Sequence, residues 1–328
     1  MNGNFDDAGK PQTSNPPSDS PGPVPERVGA RDLEVAPRPP PEPTRTFGIS
    51  RVVRSSIKAA LARWVVQKQA PGDRCTQPED EASHPWGGDR YFTEEYVFAV
   101  VQARFSLFAR LEWIPGRDQH RVWIHLLTPD GVWVLPGGAG AVEQASDGNH
   151  WRAAGLEIDC QKPHRRWSVR FHGQLQPVDP RGEAMDGPLV RCGFDFEFES
   201  SLEPYIPGTD DDPTLVARHL GEANWDLELL RSLRRRRLRG YTQSGEVVGT
   251  ASIGMNLIPL YASCLRVHTW GPRDWGGSDT AFQAFGNLAQ ASPGSPEQPQ
   301  AQRFWVHQAN FPWVTLEGGW IQEGQGLT

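Results

Sequence analysis

Hydrophobic and polar residues alternate along much of the middle of the chain, and this period of two predicts β-strands. The clearest example is Val190–Glu199, where hydrophobic residues or cysteine take every second position and the others are mostly charged. Residues 105–113 and 167–171 show similar alternation. The sequence Thr128-Pro129-Asp130-Gly131 predicts a tight turn, because proline presets φ and glycine accepts a positive φ. Several strands in succession predict an antiparallel meander that closes as a barrel or a sandwich.

Two other segments show the period of a helix. Between Ile49 and Lys68, hydrophobic residues recur every three or four positions and every charged residue is basic. We therefore predict an amphipathic helix over residues 48–68, which can lie on a membrane surface or pack on the protein's own core. A connecting helix is predicted over residues 206–240, since acidic residues and a proline stand at its start and arginines followed by glycine stand at its end.

Composition and charge limit the classes of function. Residues 1–47 are rich in proline and poor in hydrophobic residues, so we predict a disordered tail there. The net charge of −7 argues against nucleic-acid binding. No apolar run approaches the roughly 20 residues of a membrane span, and the polar N-terminus lacks a signal-peptide pattern. We therefore expect a cytoplasmic protein, peripheral to a membrane if residues 49–68 contact one.

Sequence motifs indicate no cofactor. The chain has no phosphate-binding loop, nucleophile elbow or dinucleotide-binding fingerprint. Its four cysteines are widely spread, and none of its nine histidines has a carboxylate or a second histidine at ligand spacing. We therefore predict no metal site and no cofactor.

The densest cluster of polar and aromatic residues is Leu265–Trp275, which offers a candidate site. If its first part is a strand, Arg266, His268 and Trp270 share one face. Such side chains need partners when they are buried. His268 is the group there that can transfer a proton near neutral pH, so it is the candidate catalytic residue. The alternative is a structural lock that closes one end of a barrel.

The same segment resembles a family signature. Leu265–Trp275 resembles the sequence arginine-aspartate-histidine-serine-(tryptophan or phenylalanine)-glycine, then arginine-aspartate-tryptophan, of paired lipocalin-like proteins, which include carotenoid 1,2-hydratases. The predicted helices resemble those of the N-terminal lipocalin-like portion of animal phosphoenolpyruvate synthase-like proteins. The resemblance covers about residues 89 to 275. The other matching segments, in chain order, are Asp89–Phe92, Ala154–Leu156, Pro163–Trp167, Phe171–Gly173, Tyr241–Gln243 and Gly249–Thr250.

This chain departs from the family at two polar positions. Val267 stands where the family has aspartate, and Thr242 stands where it has glutamate. We therefore expect His268 to lack a tuned carboxylate partner, which would make it a poor general acid.

The resemblance implies an all-β fold with a lipocalin-like antiparallel barrel, a connecting helix and a second barrel whose completeness the sequence leaves open. The expected units are a tail over residues 1–47, a helix over 48–68, a first β domain over 89–205, the connecting helix over 206–240, and a partial second β domain over 241–328 with a flexible loop at 286–302.

Three functions follow as hypotheses. The first is binding of an apolar small molecule of the isoprenoid, sterol or fatty acyl type inside the barrel. The second is a hydratase or isomerase in which His268 moves a proton, and a carboxylate near His268 would favour it. The third is a scaffold that docks an unknown protein, and a filled barrel interior would favour it. The candidate ligand-binding residues are Arg266, Trp270, Arg273, Asp274, Tyr241 and Gln243.

Overall fold

The structure of the protein is a computed structural model. It describes residues 56–61, 63, 77–137, 139–140, 148–179, 181–207, 209–223, 225, 239–273, 280–288, 302–310, 315–323 and 326–327. The tail predicted at 1–47 and the candidate residue Asp274 lie outside these residues.

Among the described residues, eleven β-strands form the larger of two sheets, and eight of these strands close into an antiparallel barrel. The barrel order is β4-β3-β2-β1-β11-β10-β9-β8, and β4 pairs with β8 to complete the circle. β6 and β7 extend the sheet beside β8, and β5 pairs with β3. The strands are β1 Phe92–Gln102, β2 Phe105–Ile114, β3 Gln119–Thr128, β4 Gly131–Val134, β5 Ala139–Gly140, β6 His150–Ala153, β7 Leu156–Lys162, β8 Arg166–Val178, β9 Val190–Glu199, β10 Arg239–Ile253 and β11 Asn256–Pro272. The prediction of an all-β, lipocalin-like barrel is confirmed.

The alternation seen in the sequence places every second side chain inside the barrel. On β9 the buried residues alternate with exposed charged residues over most of the strand, as predicted. The interior is filled by side chains that are at most 1% exposed, including Phe98, Trp167 and Phe198. β10 makes room for these rings, because a Cβ atom at Gly245 would lie 2.4 Å from the Phe198 ring. The middle of the barrel is therefore a packed core and not an open channel.

The boundary predicted at residue 241 differs from the structure. β10 and β11 belong to the barrel, since β11 pairs with β1 over ten residue pairs and β10 pairs with β9. A barrel needs these two strands to close, and local alternation does not show which distant strand is the partner. The second β unit described begins after them, as a four-stranded sheet in the order β12-β13-β14-β15. Its strands are β12 Thr280–Leu288, β13 Gln302–Asn310, β14 Thr315–Glu323 and β15 Gly326–Leu327.

The second sheet packs on the outside of the barrel. Trp305 on β13 and Trp320 on β14 form a buried cluster with Leu265 on β11 and Tyr205. The predicted flexible loop at 286–302 overlaps strands at both ends, because residues 286–288 belong to β12 and Gln302 begins β13. Its remaining residues, 289–301, lie outside the described part of the chain.

The connecting helix is shorter than predicted. Helix α2 spans Pro213–Glu222, and the side chain of its N-cap Asp212 accepts a hydrogen bond from the backbone N of Thr214. The helix ends at Glu222. Just beyond it, Trp225 Nε1 donates a hydrogen bond to the carbonyl of Leu220 in the last turn, at 2.6 Å. Residues 226–238 are not described, and Arg239 already belongs to β10.

Residues 56–61 form helix α1, and these residues together with residue 63 are the described part of the helix predicted at 48–68. Its Lys58 Nζ donates to the carbonyl of Ala223 at the end of α2, at 2.8 Å. Ile57 and Leu61 from the predicted hydrophobic stripe are about half exposed (51% and 50%). Among the described helices, none has the length and hydrophobicity that a membrane span requires.

Candidate functional site

One end of the barrel carries a layer of buried polar side chains. Glu94 comes from the start of β1, Arg266 and His268 come from the end of β11, and Glu81 comes from a 3₁₀ turn at Pro78–Glu81. Each of these four side chains is at most 1% exposed. Buried charges persist in proteins only when they are paired and hydrogen-bonded, so the partners decide what this layer can do.

Arg266 and Glu81 form a two-point ion pair. Arg266 Nη1 donates to Glu81 Oε2 and Nη2 donates to Oε1, both at 2.7 Å. Arg266 Nη2 also donates to Gln243 Oε1 at 2.9 Å, and the Gln243 amide donates to the carbonyls of His164 and Leu202. This network ties β11, β10 and the loop before β8 to the 3₁₀ turn.

His268 lies between a carboxylate and a phenol. Its Nε2 is 3.0 Å from Glu94 Oε1, and its Nδ1 is 3.2 Å from the hydroxyl of Tyr241. His84 approaches the same carboxylate oxygen, with Nδ1 at 2.9 Å, and its ring stacks on Trp270 with centroids 3.9 Å apart. Tyr96 also donates to Glu94 Oε1, at 3.1 Å.

The period of two along β1 explains how Glu94 reaches this layer. Glu94 points inward with Tyr96, while its neighbour Glu95 points to the other face. Glu95 there contacts Arg110 and Arg273, both in ion pairs. Two adjacent carboxylates therefore serve two separate networks.

Burial and partners shift the pKa values of these groups. Burial raises the pKa of Glu94, but hydrogen bonds from His268 and His84 outweigh it, so the pKa lies below its usual value. Burial lowers the pKa of His268, and the neighbouring Glu94 only partly offsets this. Burial likewise raises the pKa of Glu81, but the charge of Arg266 and a hydrogen bond from His164 leave it well below its usual range. An ionised Glu94 beside a neutral His268 requires the His268 proton on Nε2, so that Nδ1 accepts from Tyr241.

The structure brings together five of the predicted site residues. Arg266, His268 and Trp270 share the inward face of β11, as predicted, and Tyr241 and Gln243 contact them from β10. Arg273 is not with them, because it lies on the outer network beside Glu95. That these residues contact a ligand stays a prediction.

The expectation that His268 lacks a carboxylate partner is wrong, because Glu94 supplies one from another strand. Sequence reasoning also missed Glu81 and His84, which precede the strand region. The spacing of histidines and carboxylates along the sequence did not indicate this cluster. Its members come from a loop, β1 and β11, and meet only in the folded chain: His84, Glu94 and His268. The available signal was Glu94 itself, which is in phase with the inward residues Tyr96 and Phe98.

The opposite end of the barrel is open and largely apolar. A cavity of about 370 Å³ lies there, bounded by the β1–β2, β3–β4 and β10–β11 turns. Its apolar walls are Phe105, Trp133, Ile253 and Ile258, and these side chains also contact the buried core. The rim carries Gln102, Arg104, Thr128, Pro129, Asp130 and Asn256.

Fold and site together define a closed antiparallel β-barrel protein with a polar end and an apolar end. The model of a family described as a domain of unknown function, DUF7064, matches residues 77–291. The chain belongs to this family. No curated protein matches the chain.

Two solved structures are similar to this chain at low identity. One is a protein assigned as an AttH of Nitrosomonas europaea, with 10% identity and a TM-score of 0.47. The match covers 79% of this chain and 73% of that chain. The other is CghA, with 11% identity, 73% of this chain and 59% of that chain covered, and a TM-score of 0.44. The closed antiparallel barrel that the resemblance implied is present in the structure itself, since β4 pairs with β8 to close the sheet. Membership of the hydratase superfamily stays a prediction.

Proposed function

We propose that this protein binds an apolar small molecule at the open end of its barrel. The observation that carries the proposal is the cavity of about 370 Å³ walled by Phe105, Trp133, Ile253 and Ile258. Its volume falls in the range of roughly 300–1,000 Å³ that is typical of small-molecule sites. Contact between an apolar ligand and aromatic or aliphatic walls makes the free energy of binding more favourable, because both surfaces leave water.

The rim of the cavity suits a ligand with one polar end. Arg104 can pair with a carboxylate or donate a hydrogen bond to a hydroxyl oxygen, and the rim also carries the amide groups of Gln102 and Asn256. An isoprenoid, sterol or fatty acyl molecule with a single polar group has this character. The packed core below the cavity limits how deep the ligand lies, so most of a long ligand would extend from the mouth.

A larger groove on the outside of the barrel fits this ligand class less well. It has a volume of about 870 Å³, and its walls include Lys162, Arg166, Glu197, Glu199 and Arg303. Covering charged groups with an apolar molecule removes their water without replacing it. The open end is therefore the better site.

The hydratase or isomerase hypothesis gains one observation, the contact between His268 and Glu94. Against it stands the burial of His268, which is 0% exposed and enclosed by protein partners. A substrate would have to displace part of that layer before it reached the imidazole. The scaffold hypothesis gains the filled barrel interior, but no described contact identifies a protein partner.

Mass spectrometry of organic extracts from the purified protein tests the proposal. We expect apolar molecules in extracts of the natural chain and at least about a tenfold reduction in Trp133→Ala, since the variant removes a wall of the cavity. Trp123→Ala is the matched control, because Trp123 lies on β3 and stacks against Arg110 instead of lining the cavity. Extracts without apolar molecules, or an equal reduction in both variants, would contradict the proposal.

A further inference from the structure

We propose that His84, Glu94 and His268 form a binding site for a divalent transition-metal ion of the zinc type. The inference goes beyond ligand binding at the open end, because these residues lie at the opposite end of β1. It rests on the positions of their donor atoms and on the groups that hold them.

The three donor atoms converge on one point. His84 Nδ1 is 2.9 Å and His268 Nε2 is 3.0 Å from Glu94 Oε1, and the three ligand atoms lie within 4.8 Å of one another. Zinc–nitrogen and zinc–oxygen bonds of about 2.0–2.1 Å place neighbouring ligands of a tetrahedron about 3.3 Å apart. Two imidazoles and one carboxylate are a donor set that first-row divalent ions accept, with a further position left for water.

Glu94 Oε1 has more donors around it than a carboxylate oxygen readily accepts. His84 Nδ1, His268 Nε2 and the hydroxyl of Tyr96 all approach it, and the backbone N of His84 lies 3.3 Å away. Glu94 Oε2 receives only this backbone N–H among the described hydrogen bonds, at 3.1 Å. One carboxylate oxygen offers about two lone-pair positions. With a cation bound, both imidazoles present lone pairs to the metal and no longer compete for Oε1.

The surroundings hold the candidate ligands as metal sites usually do. A metal-bound histidine normally has a partner on its other ring nitrogen, and His268 Nδ1 has the hydroxyl of Tyr241 at 3.2 Å. The ring of His84 is fixed by its stacking on Trp270, with an interplanar angle of 10°. The His84 side chain is also 17% exposed, so an ion can reach the cluster from solvent on that side.

Metal titration of the untagged full-length protein tests the inference. After treatment with a chelator, we expect calorimetry to show one Zn²⁺ per chain, and Co²⁺ to give visible absorption. His84→Ala should weaken Zn²⁺ binding by at least about 100-fold, which exceeds the usual cost of losing an outer partner of a metal ligand. His172→Ala is the matched control, since His172 is exposed on β8 and should leave the affinity unchanged.

Two further measurements show whether a variant that binds no Zn²⁺ has lost the site or has only lost its fold. Zn²⁺ should raise the melting temperature of the natural chain and of His172→Ala, but not that of Glu94→Gln, which keeps the size of the side chain. X-ray absorption of the zinc form should show two imidazole ligands. Absence of binding by the natural chain, equal binding by His84→Ala, or a site without imidazole would overturn the inference.

Discussion

The two ends of this barrel are built from the same strands but have opposite chemistry. At one end β1 and β11 contribute Glu94, Arg266 and His268 to a buried network. At the other end the same two strands and their neighbours surround an apolar cavity beside Trp133 and Ile258. The packed core between them separates the two regions.

This difference indicates a division of roles. At the polar end each charged side chain already has a protein partner, so an apolar ligand would have to break ion pairs to enter. At the open end the rings and methyl groups face free volume, and a ligand there replaces only water. We therefore assign stability, and the proposed metal site, to the polar end, and we assign the proposed ligand to the open end.

Glu81→Gln should have the largest effect on stability. The variant keeps the shape of the side chain but leaves the buried guanidinium of Arg266 without its carboxylate. Breaking a buried ion pair in this way costs about 3–5 kcal/mol, measurable by denaturant unfolding. Glu203→Gln is the control, because its pair with Arg165 is largely exposed and such pairs contribute about 0–1 kcal/mol. Equal losses in the two variants would show that the polar end does not hold the barrel together.

His268→Ala should reduce the free energy of unfolding of the metal-free protein by about 2 kcal/mol, as is usual when a buried network is broken. It removes a fully buried ring that contacts Glu94 and stacks on Tyr96 at 4.1 Å. The set of co-purified apolar molecules should not change, because the cavity lies at the other end. A changed set with unaltered stability would move the ligand site to His268.

The sequence predicted several strands well, but it predicted neither strand β1 nor the buried networks. β9 was predicted with its exact bounds, because one wet and one dry face leave a regular alternation. The pairing of β1 with β11 was missed, since these strands are far apart in the chain and alternation does not record partners. Glu94 was missed for a local reason: it stands in the polar run Thr93-Glu94-Glu95, which hides the period of two.

At low pH, Glu81 should contribute less to the free energy of unfolding than it does at neutral pH. Its pKa is lowered in the folded protein, so as the pH falls the unfolded chain takes up the proton first. The contribution is complete above the ordinary glutamate pKa of about 4.3 and declines as the pH falls below it. Unfolding measured between about pH 3 and pH 7 should show the gap between the natural chain and Glu81→Gln narrowing below about pH 4.5. A gap that stays constant over this range would contradict the assignment.

The smallest effect is expected on helix α1. Ile57→Ser combined with Leu61→Ser should change the free energy of unfolding by less than about 0.5 kcal/mol, because both side chains are half exposed. If α1 contacts a membrane, which is one of the two possibilities that the sequence left open, the same double variant should sediment less with anionic vesicles. A large loss of stability would show instead that these side chains pack on the protein.

Photoaffinity labelling tests the central claim, binding of an apolar molecule at the open end, most directly. A fatty acid that carries a diazirine would be bound to the natural chain, irradiated and mapped by peptide mass spectrometry. The account predicts labels at the three turns that bound the cavity, within residues 102–105, 128–133 and 253–258. Labels concentrated at Tyr241–Gln243 or Arg266–Trp270 would contradict it.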